Sequence, residues 1–328
     1  MSQPTHSSNG NSPALSVIIA VGGQRARAGR ALQSLLDQSI IDRMEILLFD
    51  LGPKECSPLP GSDHPRVKLT RWDPTGLLST ARAQGIRAAK SPVVAFMEEH
   101  CEMQAGWAEA VVSDHKEPWA GVGTDFINAN PDAGKSNKAF QMNYGSYIRP
   151  VGGRGPTRLI AGQNSSFKRN VLLRYEPNLE LLLKAEMILQ WKILEDGYQM
   201  FYDPSVKIAH LNENTFRRLA IGVFYWNWGY GNVRAQVYKW GPFRRWTWIV
   251  LSPLIPWLRL LRLFRQQLTI RPVPFSQFLR DIPFIFGISL CSAAGQVVGL
   301  LKSGERAYWE FSHFEMNEPR LSREEFAR

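Results

Sequence analysis

The ten residues from Ser91 to His100 constrain the fold more than any other part of the chain. An apolar run, residues 93–97, stops abruptly at two carboxylates and an imidazole, Glu98-Glu99-His100. Such runs are typical of a strand buried in a parallel sheet, and ligands bind beyond the carboxyl ends of these strands. Carboxylate oxygens beside an imidazole suit a divalent cation such as Mn²⁺ or Mg²⁺. Alternatively, the acidic residues begin a helix and complement its dipole.

Apolar runs alternate with helical patterns over the first two-thirds of the chain. Strands are predicted at residues 15–20, 44–49, 67–69, 93–96, 159–169, 200–204 and 206–211, and helices at residues 30–38, 81–89 and 179–195. This alternation predicts an α/β fold with a right-handed, mostly parallel sheet. Residues 120–156 have an irregular pattern rich in Gly and Asn. We expect loops around a pocket there.

Composition and charge divide the 328 residues into three parts. The Ser-, Asn- and Pro-rich residues 1–13 predict a flexible leader, and they lack the pattern of a secretory signal. Three distant cysteines, Cys56, Cys101 and Cys291, indicate a reduced, cytosolic environment without a disulfide or zinc framework. Residues 216–280 hold eleven Arg and Lys, no Asp or Glu, and six of the eleven Trp. A nearly neutral domain, residues 14–215, is therefore expected before a basic, tryptophan-rich region, residues 216–328.

The order of these segments resembles a family 2 glycosyltransferase with the GT-A fold, over about residues 15–231. The family's strand and turn, nucleoside-binding strand end, Ala-Arg-Asn helix, Asp-x-Asp strand end and Pro-Gly-Trp correspond to residues 16–22, 50–52, 81–83, 96–100 and 105–107. Later landmarks match at Gly162, Asn164, Gly197-Tyr198, Pro204 and His210. The resemblance implies a nucleotide-sugar-dependent enzyme with a mostly parallel, Rossmann-like sheet.

The resemblance also implies a metal site. The first and third residues of Asp-x-Asp hold Mn²⁺ or Mg²⁺ against the donor diphosphate, and here these positions are Glu98 and His100. His210 would be a further ligand from the other side of the pocket. Glu99 is expected to support these ligands or to be solvated. As isolated residues, histidines are more often structural or surface groups than metal ligands.

The donor site and the base follow from the same resemblance. The nucleotide-sugar would contact residues at five strand and helix ends: Ala20, Val21, Asp50, Arg82, Glu98, Gly162 and Asn164. Glu186 stands where the family's catalytic base lies and would deprotonate the acceptor hydroxyl; Glu180 and Glu195 are fallback candidates. As isolated residues, Asp50 could equally form a turn, and Arg82 and Glu186 could be solvated helix residues. Leu51, Ala83 and the missing Tyr-Asn turn depart from the family pattern and leave open a catalytically silent relative.

The last third of the chain predicts membrane association. Residues 257–265 place Arg at three-residue spacing beside Leu and Phe, as in a helix lying on anionic headgroups. Pro253 and Pro256 make the preceding apolar run too short to span a bilayer. Residues 282–301 carry no charge, but three glycines and Gln296 favour a packed, re-entrant or in-plane helix pair. Peripheral or monotopic binding is favoured over one span or a soluble appendage.

These patterns together predict a metal-dependent, inverting glycosyltransferase at the cytoplasmic membrane face. The acceptor is expected to be lipid-linked or a surface-polysaccharide precursor. Single-sugar addition is favoured because Gln190-Trp191 does not reproduce the Gln-x-x-Arg-Trp signature of processive synthases. A silent membrane scaffold with the same fold is the alternative. Nucleic-acid binding is not expected, because the tryptophans alternate with Leu, Ile and Pro rather than with Gly and polar residues.

Overall fold

The computed structural model describes residues 12–73, 75–145, 150, 153–270 and 273–320. The predicted leader, residues 1–13, lies outside the described residues except for its last two positions. The strands are β1 (Leu15–Val21), β2 (Met44–Asp50), β3 (Val67–Arg71), β4 (Val93–Glu98), β5 (Cys101–Met103), β6 (Gly121–Asn128), β7 (Gly155–Thr157), β8 (Ser165–Lys168) and β9 (Met200–His210).

Helices lie between these strands and follow them. They are α1 (Arg25–Leu36), α2 (Leu78–Ala88), α3 (Trp107–Asp114), α4 (Ser136–Phe140), α5 (Arg169–Leu173), α6 (Leu179–Leu183), α7 (Glu186–Glu195), α8 (Phe216–Val237), α9 (Pro242–Leu251), α10 (Ile255–Thr269), α11 (Phe275–Leu301) and α12 (Glu305–Asn317).

The described strands form one nine-stranded mixed sheet in the order β3-β2-β1-β4-β8-β6-β9-β5, with β7 paired to β9. β3, β2, β1 and β4 run parallel, as the strand–helix alternation predicts. β8 runs antiparallel between β4 and β6, and β6 runs parallel to β9. The α/β class is confirmed. The carboxyl ends of β1, β2, β4 and β9 are the positions that matter for the site.

Two apolar cores cover the two faces of the sheet. Along β1, Ile18 packs into one cluster, while Val17 and Ile19 pack into the other. Side chains of a strand alternate between faces, so a strand that is apolar at every position must be covered on both sides. β2 and β4 are buried in the same way. These central strands hold their carboxyl ends rigidly.

Three local expectations are wrong. Residues 121–128 form β6 rather than a loop, because Gly121 and Gly123 leave room for the side chains of Phe167 and Ile160. The helix expected at residues 179–195 is two helices, α6 and α7, with a break that starts α7 at Glu186. The helix pair expected at residues 282–301 is instead part of one continuous helix, α11.

α8 and α11 pack closely in the last third of the chain. A Cβ atom on Gly295 would lie 2.4 Å from the Phe224 carbonyl oxygen, and one on Gly299 would lie 2.2 Å from the Trp228 carbonyl oxygen. The glycines therefore allow the backbones to approach. This confirms the expectation that residues 282–301 are packed against other elements.

α9 and α10 carry an exposed apolar face. Phe243 is 87% exposed, Val250 71%, and Trp246, Trp257 and Leu258 each 60–61%. By length and composition, two helical segments could cross a membrane: Pro242–Thr269 and Phe275–Leu301. Of the apolar window in each, 17% and 44% is buried within the protein. The rest of the protein therefore covers less of the segment Pro242–Thr269 than of Phe275–Leu301.

Candidate active site

The sheet brings three predicted metal ligands together at one edge. Glu98 is the last residue of β4, and His100 follows it by two residues. His210 is the last residue of β9, and it pairs with Cys101 of β5 in an antiparallel ladder. Because β5 begins right after His100, this ladder places the imidazoles of residues 100 and 210 side by side. The site therefore depends on pairing between segments about a hundred residues apart.

The donor atoms of these residues converge. The Nε2 atoms of His100 and His210 lie 3.1 Å apart. Glu98 Oε2 lies 3.4 Å from His100 Nε2 and 3.6 Å from His210 Nε2. Cys101 Sγ lies 4.0 Å from Glu98 Oε2, and single donor atoms of all four residues lie within 4.8 Å of one another. The cluster is a compact set of one carboxylate, two imidazoles and a thiol.

Neighbouring polar groups orient two of the three predicted ligands, Glu98 and His210. The Asn164 amide donates to Glu98 Oε2 at 2.6 Å, and its oxygen accepts the Glu98 backbone N–H at 3.0 Å. His210 Nδ1 lies 3.0 Å from Asn212 Oδ1, which assigns the ring proton to Nδ1 and leaves the Nε2 lone pair in the cluster. The Tyr144 hydroxyl lies 2.9 Å from that Nε2. Asn212 and Tyr144 carry no motif that would have marked them in the sequence.

Burial and charge set the protonation states in the cluster. Burial raises the pKa of Glu98, but its interactions with His100 and His210 outweigh this effect and hold the pKa well below its usual range. Burial, reinforced by the Arg320 charge, lowers the pKa of His100 well below its usual value. Burial also lowers the pKa of His210. A carboxylate beside two neutral imidazoles is the protonation state that binds a metal ion.

These residues fit a divalent cation. Ligands about 2.1 Å from an octahedral ion are roughly 3 Å apart when adjacent, and the observed separations are 3.1, 3.4 and 3.6 Å. Two unprotonated imidazole nitrogens at 3.1 Å repel each other unless a proton or cation lies between them or beside them. Two imidazoles with one carboxylate suit Mn²⁺ better than Mg²⁺, which prefers oxygen ligands.

Arg320, which no pattern in the sequence marks, reaches into this cluster. Its Nη1 atom lies 2.7 Å from His100 Nε2 and 3.1 Å from the Leu211 carbonyl oxygen. Its Nη2 atom donates to Glu315 Oε2 at 2.6 Å, and its Nε lies 2.9 Å from Glu213 Oε1 without hydrogen-bond alignment. Burial raises the pKa of Glu315 to about 7, although the Arg320 charge opposes this shift.

Glu99 differs from one of the roles expected for it. It is 2% exposed rather than solvated, and its Oε2 accepts the Gly22 backbone N–H at 2.6 Å. Its Oε1 accepts two N–H groups of Arg27, at 3.0 and 2.6 Å. Glu99 therefore ties the turn after β1 to the end of β4. It supports the site from behind while Glu98 and His100 point into the cluster.

Asp50 ends β2 and is 1% exposed. Its two carboxylate oxygens accept from Arg25 at 2.9 and 3.0 Å, and Oδ2 lies 2.8 Å from Arg71. Oδ1 also accepts the Gly52 backbone N–H at 3.0 Å, as a turn-forming Asp would. A nucleobase bound there would meet an ion-paired carboxylate with two arginines beside it.

A cavity of about 480 Å³ is lined by some of the predicted site residues. Its lining includes Arg82, Glu98, Gly162, Glu186 and His210. Ala20, Val21, Asp50, His100 and Asn164 lie outside this lining, so the cavity collects only part of the predicted donor site.

Glu186 and Arg82 face each other in this cavity as an ion pair. The Arg82 guanidinium also lies over the Phe96 ring, 5.5 Å from its centroid. A Cβ atom on Gly162 would lie 2.3 Å from Glu186 Cβ, so glycine is what allows α7 to begin against this turn. The predicted base is thus the first residue of α7 and stands in a cavity that Glu98 and His210 also line.

The mixed, largely parallel sheet thus carries carboxylate and imidazole groups at its carboxyl edge, beside a ligand-sized cavity. Residues 16–175 match the family described as "Glycosyl transferase family 2", so the chain carries a domain of that family. The match ends before His210 and before the basic helical region.

Two curated proteins are similar to part of the chain. The human "Polypeptide N-acetylgalactosaminyltransferase 16" is 30% identical over 130 residues, which cover 38% of this chain and 23% of that protein. The mouse "Polypeptide N-acetylgalactosaminyltransferase 16" is 31% identical over 121 residues, or 34% of this chain and 21% of that protein. The chain thus spans less than a quarter of the length of these relatives.

Proposed function

We propose that the protein is a metal-dependent, inverting and non-processive glycosyltransferase. It moves one sugar from a nucleotide-sugar donor to a lipid-linked or surface-polysaccharide acceptor at the cytoplasmic membrane face. The observation that carries this proposal is the shared cavity: Glu98 and His210 line it together with Arg82 and Glu186. Residues 14–215 supply the chemistry in this proposal, and residues 216–328 the membrane contact.

Each residue has a separate task. Glu98, His100 and His210 hold Mn²⁺ or Mg²⁺, which when bound neutralises the donor diphosphate. Glu186 accepts the proton of the acceptor hydroxyl as this oxygen attacks the anomeric carbon, and the nucleoside diphosphate leaves with the electrons of the broken carbon–oxygen bond. Arg82, a predicted donor-binding residue, also pairs with Glu186 and orients it before the acceptor arrives. Ala20, Val21, Asp50, Gly162 and Asn164 complete the donor site.

Membrane association rests on the exposed face of α9 and α10. Large apolar side chains at 60–87% exposure are costly in water and stable in a bilayer interface. Residues 216–280 carry eleven basic and no acidic residues, so anionic lipids attract this region. A basic flank of this kind favours the cytoplasmic side. Peripheral or monotopic binding satisfies both observations.

The cavity favours an amphiphilic acceptor. From the catalytic residues it extends to α10, where Leu258, Arg259 and Arg262 are part of its lining. Leu258 is also 61% exposed, on the face proposed to meet lipid. A lipid-linked acceptor can therefore pass from the membrane to Glu186, with anionic groups near the two arginines. The relatives favour a second candidate, transfer of N-acetylgalactosamine to a polypeptide.

Calorimetric titration tests the donor site. UDP and GDP are titrated with and without Mn²⁺ into the wild-type protein, His100→Ala and the control His313→Ala, whose imidazole is exposed on α12. We expect nucleotide binding that needs Mn²⁺ and is lost only in His100→Ala. Absence of nucleotide binding under all conditions, together with no Mn²⁺-dependent donor hydrolysis, would support the silent scaffold instead.

A transfer assay separates the two acceptor classes. Polyprenyl-phosphate-linked saccharides in anionic vesicles and Ser/Thr-containing peptides are offered with a panel of nucleotide sugars. We expect product on the lipid-linked saccharides and none on the peptides. N-acetylgalactosamine found on the peptides would establish the second candidate.

A further inference from the structure

We propose that Arg320 and the divalent cation compete for one position, so that the cation binds only when Arg320 leaves it. This inference rests on the metal site of the proposed function. The residues from Glu315 to Arg320, here called the C-terminal segment, carry this arginine into the cluster from the end of α12. The chain thereby supplies its own displaceable cation.

The competition follows from one lone pair. Arg320 Nη1 donates toward His100 Nε2 at 2.7 Å, so this nitrogen is unprotonated and its lone pair points at the guanidinium. An imidazole nitrogen has a single in-plane lone pair, and metal coordination uses that same pair. His100 can therefore accept from Arg320 or bind the cation, but not both.

Charge reinforces the exclusion. Arg320 is 8% exposed and contacts two carboxylates, those of Glu213 and Glu315. These pairings make a buried guanidinium tolerable. A doubly charged cation on His100 and Glu98 would stand against the guanidinium in a medium that screens poorly. Arg320 must then turn away from His100. The carboxylates of Glu213 and Glu315, which it leaves, then face the bound cation.

The C-terminal segment also covers the end of β1. Asn317 Oδ1 accepts the Gly23 backbone N–H at 2.9 Å, and the Met316 carbonyl oxygen would lie 2.6 Å from a Cβ atom on Gly22. Arg27 donates to the carbonyl oxygens of Glu315 at 2.6 Å and Glu318 at 2.7 Å. The turn after β1 adjoins Ala20 and Val21, which are expected to bind the donor. Movement of the segment would therefore open the metal and nucleotide positions together.

Mn²⁺ binding measured by electron paramagnetic resonance tests the competition. The wild-type protein is compared with Arg320→Ala and with Arg306→Ala, which removes an exposed arginine from α12, the helix that precedes Arg320. We expect Arg320→Ala to bind Mn²⁺ at least tenfold more tightly and Arg306→Ala to match the wild type. Equal or weaker binding by a folded Arg320→Ala would overturn the proposal.

Trypsin provides a second measurement that needs no loss of Arg320. The bond after Arg320 is protected while its guanidinium is buried in the cluster, and mass spectrometry detects its cleavage. We expect Mn²⁺ to speed this cleavage at least fivefold in the wild type and not in Glu98→Ala. Unchanged cleavage at a Mn²⁺ concentration that saturates the wild type would overturn the proposal even if Arg320→Ala does not fold.

The two measurements distinguish failure of this inference from failure of the proposed function. Mn²⁺ binding that is present and insensitive to Arg320 rejects the competition alone. If neither the wild type nor a folded Arg320→Ala binds Mn²⁺, the competition and the metal-dependent function are both rejected. Arg320 would then be a permanent cation of the site.

Discussion

The Nε2 atoms of His100 and His210 lie 3.1 Å apart, although 110 residues separate the two histidines in the chain. The Asn212 side-chain oxygen lies 3.0 Å from His210 Nδ1 and accepts the proton of that nitrogen. His210 Nε2 is therefore unprotonated and can act as an acceptor. Partners of this kind fix the tautomer of a metal-binding imidazole and raise its basicity. The contact thus makes Asn212 a positioning residue for the proposed cation.

Asn212→Ala should weaken Mn²⁺ binding about 10- to 100-fold, as loss of such a partner typically does. The free imidazole can rotate or carry its proton on Nε2, and either change removes a ligand. Titration with Mn²⁺ measures the effect, and Asn170→Ala is the control because this asparagine is exposed on α5. Unchanged affinity in Asn212→Ala would show that the Tyr144 contact suffices to orient the ring.

Glu186→Gln should lower kcat about 10²- to 10⁴-fold, the usual contribution of a positioned base. The amide keeps the size of the side chain and its contact with Arg82 but cannot take the acceptor proton. KM for the donor should change little, because Glu186 lies beside the metal ligands rather than among them. Steady-state transfer rates check this.

The fallback candidates serve as controls for Glu186. Glu195 pairs with Lys192 at 2.9 Å and with Tyr238 at 2.8 Å on the surface, and Glu180 accepts from Thr80 at 2.7 Å. Neither carboxylate lines the cavity. Glu195→Gln and Glu180→Gln should keep wild-type rates. A large loss in either one, with normal rates in Glu186→Gln, would move the base to that residue.

The sequence predicts the central sheet well because its strands are apolar at most positions on both faces. β1, β2 and β4 appear at the expected places, and their last residues, Val21, Asp50 and Glu98, lie at one edge. The sequence does not predict β6, because two glycines replace the apolar side chains that mark a buried strand. Apolar periodicity detects a strand by its own side chains. It does not detect a strand whose glycines leave that space to the side chains of neighbouring residues.

The residues around the metal site are harder to predict. Glu98 and His100 stand in a local motif, whereas Arg320 and Glu315 enter from the end of α12. Nothing in their sequence neighbourhood distinguishes them from surface charges. Asn212 and Tyr144 act through their contacts with His210. The β5–β9 ladder and the position of the residues that precede β7 create these contacts. Long-range pairing therefore sets the environment of a site whose ligands are partly local.

The exposed face of α9 should be required for membrane binding. Phe243→Glu with Val250→Glu removes the two most exposed large apolar side chains of that face, at 87% and 71% exposure. Burying such a side chain is worth about 2 kcal/mol, so each loss should reduce partitioning roughly 30-fold. Flotation with anionic vesicles measures it.

Leu69→Glu is the control for that variant, since Leu69 is 41% exposed on the edge strand β3 of the other part of the protein. It should float like the wild type. Full flotation of the double variant would assign membrane contact to another surface. Binding of single-stranded RNA instead of vesicles, abolished by salt, would revive the nucleic-acid alternative.

His115 should make the protein less stable in acid. Its imidazole is 6% exposed and lies 2.9 Å from the Ser166 hydroxyl, and burial together with the Lys168 charge lowers its pKa from 6.5 to about 4. Between pH 6.5 and 4, His115 binds a proton in the unfolded chain but remains neutral in the folded protein. Its free energy of unfolding should therefore fall by about 3 kcal/mol across this window, at 1.36 kcal/mol per pKa unit. Above pH 6.5 the contribution is constant.

Two variants isolate this effect from other titrations. His115→Gln should remove that part of the acid loss, measured by urea unfolding at pH 7.5 and 4.5. Asp114, next in the chain, has the opposite sign: burial and Asp203 raise its pKa from 3.8 to about 6, so the folded protein binds the extra proton and gains stability as pH falls through 6. Asp114→Asn should therefore steepen the acid loss that His115→Gln reduces. If both variants shift it in the same direction, burial of His115 as a neutral imidazole is not its cause.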